Sequence, residues 1–419
     1  MGVKPNNIFV DSILYIVVGV SIGSVMAFAA GSFLWAAASF NSFSDTAETL
    51  IGGQWSHLVP TFFLIVAAGL ILILRRAFGI KRFHSPRETI AAVQSEKPFD
   101  IKGGLAATLA ALISVGGGAS VGQYGPLVHF GGTVGAAVAK AVKTRIPRET
   151  WIGCGVAGAI AAGFGVPLAA IVFSHEVVLR RFSISAIAPI SICAMTAAML
   201  SEQFQVGGRP YFDGLVDGLT MEFLPLLVLS APVFAITAVL FMTLLGKVMD
   251  KVDQLPNLPA WPLIVAVLLC AFVGFWVPDA LGLGLDVVQD FLSNSLPMAA
   301  VLILVVTKLM LTVACVRTGL HGGIYLPSLF MGAGLGCVLG KVAATFGIAS
   351  GAGLSIAGMA AVAAAVFGAP ISTVLIIFEF TRSYEAALVS IIAVTICTLI
   401  SHRLYAPSFF DRDAKEASG

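Results

Sequence analysis

Two short motifs carry the chemistry that this sequence offers. Gly122-Gln123-Tyr124-Gly125-Pro126 and Gly323-Ile324-Tyr325-Leu326-Pro327 share the pattern GxYxP, and each stands at the head of an apolar run. Proline suits the first position of a helix, where its missing N–H would lack a partner anyway. Glycine lets the backbone approach a ligand closely. Each motif therefore predicts a helix opened by its proline, with free N–H groups and a positive dipole end at its start. Two such ends facing each other make an anion site that needs no cationic side chain. The residues expected to face the anion are Tyr124, Gly125, Gly323, Ile324 and Tyr325, through backbone amides above all. Ser85-Pro86-Arg87-Glu88 is a third helix start, with Ser85 as cap and Glu88 completing a capping box. Locally it reads equally well as an ordinary surface helix start.

The two GxYxP motifs belong to a longer internal repeat. They lie 201 residues apart, and the register continues through Gly131 with Gly332, Gly135 with Gly336 and Lys140 with Lys341. Phe164-Gly165-Val166-Pro167 then matches Phe367-Gly368-Ala369-Pro370 at an offset of 203, and Glu176 and Glu379 close the two copies. Repeats of this kind build pseudo-symmetric membrane folds with the substrate site at the repeat interface.

Composition says where these elements must fold. Of 419 residues, 58% are hydrophobic and 11% charged, with a mean hydropathy of +0.97. A soluble domain carries about 25% charged residues, so the chain reads as a polytopic membrane protein. The net charge of +2 gives no ground for a polyanionic partner, and no nucleic-acid binding is expected. A bilayer crossing needs about 20 apolar residues. Runs at 8–37, 57–77, 184–201, 221–246, 261–277, 298–316 and 385–402 come near that length. The stretches 127–139 and 168–179 fall short and are bounded by Gly/Pro breaks, a pattern tolerated at membrane depth only inside protein or along a watery path. The first run is too long for a cleavable signal. Lys and Arg crowd the loops at 75–102 and 140–148, whereas the loops 38–56 and 277–297 hold none. The N-terminus, the basic loops and the C-terminus are accordingly assigned to the cytoplasm. All six cysteines sit in apolar runs without metal-ligand spacing and read as buried free thiols; no cofactor and no metal are expected.

With these motifs in place, the chain resembles the CLC family of chloride channels and proton-coupled chloride exchangers over nearly its whole length. That family's signatures are GSGIP, G(K/R)EGP and GxFxP, with a tyrosine near the last helix. Gly122–Pro126 matches the second and Gly323–Pro327 the third, and the 38 residues from Pro86 to Tyr124 suit the spacing of the first two. The resemblance implies an all-α polytopic fold of two inverted-topology repeats, whose broken helices meet at a central anion site. It also implies a homodimer in the bilayer, one anion pathway per subunit, with the inner (plasma) membrane as its place. The expected division is 1–60 for the N-terminal segment and first helix, 61–201 for the first repeat half and 202–220 for an extracellular linker. The second half then takes 221–402 and a short tail 403–419.

The departures from the family pattern shape the expected mechanism. The gating glutamate of G(K/R)EGP is Tyr124 here, and the internal proton acceptor that comes after the first glutamate beyond FGxP is Val177. The serine of GSGIP falls on Phe83, or on Ser85 if the loop shifts, and the C-terminal tyrosine falls on Phe410. Phenylalanine and valine carry no proton, an unperturbed phenol holds its proton to a pKa near 10, and carboxylates are the usual membrane relay. The expected function is thus passive movement of chloride or similar small monovalent anions, with Tyr124 as gate. The alternative is a proton-coupled antiporter relaying through Glu176 or Glu379, with His129 and His175 as further candidates for that relay. A rival from another class is an intramembrane serine hydrolase, since Gly118-Ala119-Ser120-Val121-Gly122 fits GxSxG. No strand precedes Ser120 and no histidine is placed beside it by sequence, as that chemistry requires.

Overall fold

In the computed structural model, the described residues are 8–52, 58–80, 83, 89–90, 93, 100–142, 146–205, 212, 223–255, 259–348 and 351–411. They form α1 (Ile8–Ile51), α2 (Val59–Phe78), α3 (Ile101–Gly116), α4 (Tyr124–Ala141), α5 (Arg148–Phe164) and α6 (Pro167–Phe173, continuing as a π-turn over Ser174–Leu179). There follow α7 (Ile184–Gln203), α8 (Phe223–Asp253), α9 (Trp261–Trp276), α10 (Leu285–Leu292) and α11 (Met298–Thr318). The chain ends through α12 (Tyr325–Thr345), α13 (Gly353–Phe367), α14 (Pro370–Thr381) and α15 (Tyr384–Leu404). No strand occurs among the described residues; the one β-type contact is an isolated antiparallel bridge between Gly122 and Gly323. Seven of these helices are long and apolar enough to cross a membrane. The protein is an all-α integral membrane protein.

Most helix limits fall within a few residues of the apolar runs, with one clear exception. The segment 38–56, expected as a loop, is helical as far as Ile51, and Asp45 and Glu48 ride on α1. Between Gly31 and Gly52 the sequence has neither glycine nor proline to stop the helix. Gly52, at φ +56°, ends it, and its N–H donates to the Glu48 carbonyl at 3.1 Å.

The chain folds as two compact units, each assembled from three stretches of sequence. The first takes Met1–Trp35, His84–Leu105 and Leu127–Arg209; the second takes Ala36–Phe83, Ala106–Pro126 and Pro210–Gly419. In the first unit α5 is buried along nearly its whole length, from Thr150 to Phe164. It crosses α4 where Gly131 and Gly155 meet backbone to backbone, and Ser201 on α7 donates to its Ala162 carbonyl at 2.9 Å. In the second unit every residue of α13 is buried. It crosses α12 at Gly332 against Gly358 and at Gly336 against Leu354. A helix that is apolar on all sides belongs in the middle of a bundle, and small residues let such backbones approach closely.

The repeat is visible in the caps. α5 ends at Gly165 (φ +64°) and α13 at Gly368 (φ +65°); α6 ends at Arg180 (φ +52°) and α14 at Arg382 (φ +51°). Pro167 and Pro370 are 203 residues apart, but Arg180 and Arg382 only 202. The first copy thus holds one extra residue, and the π-turn Ser174–Leu179 absorbs it.

The Gly332–Gly358 crossing sets a stability test. A Cβ on Gly332 would be driven into the Gly358 carbonyl, which is backbone and cannot step aside. Gly332→Val should therefore destabilise by about 3 kcal/mol or more, read as a drop in thermal unfolding temperature or loss of monodisperse protein in detergent. Gly69 on α2 has nothing within 4 Å of such a Cβ, and Gly69→Ala should raise stability by about 0.5–1 kcal/mol.

Candidate anion site

Both GxYxP loops begin where a long helix is broken by a glycine that only its lack of a Cβ permits. α3 stops at Gly116, and Gly118 follows at φ +81°; α11 stops at Thr318, and Gly319 follows at φ +133°. The two loops then run antiparallel, as an inverted repeat requires, and pair through their backbones. The Gly122 N–H donates to the Gly323 carbonyl at 2.7 Å, and the Gly323 N–H donates to the Gly122 carbonyl at 2.6 Å. Glycine fits both positions, and most strictly position 323. A Cβ on Gly323 would lie 2.7 Å from the Gly125 nitrogen, and one on Gly122 would lie 3.1 Å from the Gly323 carbonyl oxygen.

From this pairing α4 and α12 depart, starting at Tyr124 and Tyr325. That corrects the expectation that Pro126 and Pro327 open them: each proline is the third helical residue. The first turn has no intrahelical acceptor for its N–H groups, so proline is tolerated there as readily as at the first position. The N-terminal ends of the two dipoles are thereby brought side by side, with roughly +0.5 charge each. Neither pentapeptide contains a Lys or Arg.

The aromatic side chains close over these helix starts as one cluster. The rings of Tyr124 (3% exposed) and Tyr325 (1%) lie 4.8 Å apart at 48°. Tyr325 meets Phe367 edge-on at 5.0 Å, and Phe367 meets Phe410 at 5.1 Å. Phe410 is carried there by the segment after α15, where the Phe409 N–H donates to the Val366 carbonyl at 3.0 Å. In the same stretch the Ser408 hydroxyl donates to the Asp411 carboxylate at 2.6 Å. Edge-to-face contacts of this kind each add about 0.5–1.5 kcal/mol beyond area burial. Tyr124, Tyr325, Phe367 and Phe410 thus form a chain of rings in which Phe367, which sequence reasoning marks only as part of a helix break, links Tyr325 to Phe410. Phe83 stands at the loop itself, its ring 5.8 Å from that of His321, which immediately precedes Gly322-Gly323. His321 carries no signal in the sequence that marks it beforehand. Ser85 lies outside the described residues. Val177 belongs to the first unit, where it is buried in the π-turn (3% exposed), and Glu176 beside it is half-buried.

Other candidates lie in buried, hydrogen-bonded or stacked settings. The Ser120 hydroxyl is fully buried and donates to the Ala280 carbonyl at 2.8 Å, in a bend without a strand, so no nucleophile elbow exists there. His129 Nδ1 is 2.7 Å from the Thr89 hydroxyl, and the ring of His175 stacks on Phe182 at 5.6 Å. The six cysteines are free and buried, and no group of His, Cys, Asp and Glu among the described residues could hold a metal.

Known proteins share this architecture. The chain is 27% identical over 363 residues to the voltage-gated ClC-type chloride channel ClcB of Escherichia coli O17:K52:H18, covering 85% of this chain and 86% of that one. The K12 homologue is 26% identical over 371 residues, covering 87% and 88%. Among solved structures, a slow cyanobacterial Cl−/H+ antiporter superposes with a TM-score of 0.85 at 18% identity, covering 96% and 97% of the two chains. A CLC-type fluoride/proton antiporter gives 0.76 at 21% identity, covering 98% of each. The fold as a whole is therefore a known one. Residues 70–402 match the voltage gated chloride channel family, and the chain belongs to that family.

Proposed function

We propose that the protein moves chloride or similar small monovalent anions passively across the membrane. The observation that carries this reading is the mutual Gly122–Gly323 pairing, which holds two helix N-termini together without a cationic side chain. Tyr124, Gly125, Gly323, Ile324 and Tyr325 line the anion's route, Phe83 and Phe410 flank it, and the Tyr124 ring is its gate. The passive mechanism rests on chemistry that is missing. In the family pattern the outer and inner proton carriers are glutamates, and here Tyr124 and Val177 stand in their places. The repeat halves 61–201 and 221–402 are the working parts, and the molecule acts as a homodimer in the inner membrane with both termini in the cytoplasm.

A second reading is a proton-coupled antiporter using Glu176 or Glu379. It is favoured by the likeness of the fold to two antiporter structures. Reconstitution in liposomes separates the two. Under the passive reading, a chloride gradient drives flux at equal pH, and a pH difference at symmetric chloride drives none. Chloride pumped by the pH difference overturns that reading in favour of the relay.

Two substitutions probe the route itself. Tyr124→Ala removes the ring from the cluster and should raise flux several-fold; unchanged flux in a folded variant would make the ring mere packing. Gly323→Ala puts a methyl group against the Gly125 nitrogen at 2.7 Å. Flux should fall about tenfold or more, the scale of a misplaced binding group, while circular dichroism still reports an intact helical protein.

A further inference from the structure

Lys308 stands in the middle of α11 and is fully buried. Its ammonium group donates to the Gly282 carbonyl at 2.7 Å and to the Ala280 carbonyl at 3.2 Å, and lies 5.2 Å from the centre of the Phe330 ring. Among the described residues no carboxylate lies within ion-pair distance of it. Ionisable groups within membrane helices are costly, and they face the protein interior or a pathway rather than lipid. Here two carbonyl dipoles and an aromatic face solvate the ammonium, but none of them cancels its charge.

The partners of Lys308 lead directly to the paired loops. The Ala280 carbonyl also accepts from the Ser120 hydroxyl at 2.8 Å, two residues before Gly122. The Gly282 N–H donates to the Gly118 carbonyl at 3.1 Å. Phe330 lies on α12, five residues after Tyr325. One side chain thus reaches the loop before α4 through two backbone groups, and α12 through a ring. All of these residues belong to the second unit.

We propose that Lys308 is a positioning residue that fixes the Gly118–Gly122 loop through Ala280 and Gly282, and that its ammonium form supplies the anion pathway with a positive charge. The inference rests on the anion-transport reading. With no carboxylate beside it, the charge acts across a low-dielectric interior, where electrostatic attraction is far stronger than in water. The transported anion is its mobile counter-ion.

The test measures bromide binding by calorimetry on the purified full-length protein, and chloride flux in liposomes. Lys308→Met keeps the volume and removes the charge. Bromide affinity should fall about tenfold with flux reduced in parallel, and Lys308→Arg should restore affinity to within about threefold. Ser120→Ala removes a loop anchor but leaves the charge; it should lower flux while bromide affinity stays within about twofold. A purely structural lysine would not separate these two readouts. If Lys308→Met does not yield monodisperse protein, Lys308→Gln makes the same comparison. Wild-type affinity and flux in the neutral variant, or an Arg variant no better than Met, overturns the inference and leaves the transport reading intact. A wild-type protein that neither binds bromide nor passes chloride overturns both.

Discussion

The two hydrogen bonds exchanged by Gly122 and Gly323 are the contact on which the rest of the site depends. They join loops 201 residues apart in sequence. Each loop leaves a helix that has stopped early at a glycine, so its backbone groups would be unsatisfied at membrane depth. In hydrocarbon such a group costs several kcal/mol. Pairing the loops meets part of that need and fixes where α4 and α12 begin. A side chain at Gly323 would push against the Gly125 backbone, and one at Gly122 would crowd the Gly323 carbonyl, so both glycines favour the close approach. The local backbone geometry and the placing of the Tyr124 and Tyr325 rings both stem from one close approach.

The protein combines two kinds of packing. The Gly131–Gly155 and Gly332–Gly358 crossings bring helices together backbone to backbone, which leaves little room for adjustment. The Tyr124–Tyr325–Phe367–Phe410 cluster does the opposite, covering the helix starts with large planar rings that meet at angles between 48° and 89°. Rings can turn about their side-chain bonds; crossed backbones cannot. The crossings are the rigid part of each unit, and the rings are the adjustable part of the second.

Much of this is legible in the sequence because the decisive residues are punctuation. GxYxP and FGxP name the places where helices stop and start, and their recurrence gives the repeat; the apolar runs then give most spans within a few residues. Other features depend on contacts that spacing does not encode. The end of α1 is set by the lack of a breaker before Gly52 rather than by hydropathy. The helix starts at Tyr124 and Tyr325 precede their prolines because an early proline does not define the first residue. Ser120, Ala280 and Lys308 come together across 160 and 28 residues, and nothing in their local sequences marks them as partners. Phe367 likewise reads as part of a break, and only the fold shows it linking Tyr325 to Phe410.

The π-turn at Ser174–Leu179 bears on how a duplicated segment diverges. Glu176 and Glu379 keep the same distance from Pro167 and Pro370, but one additional residue stands between Glu176 and Arg180. On a helix of 3.6 residues per turn, one added position rotates every later residue by about 100°; the widened turn takes up that rotation before the shared cap. Val177 therefore occupies a position with no single counterpart in the second copy. The extra residue gives the first copy a local geometry that the second lacks, so the side chains around it need not do the same work in both.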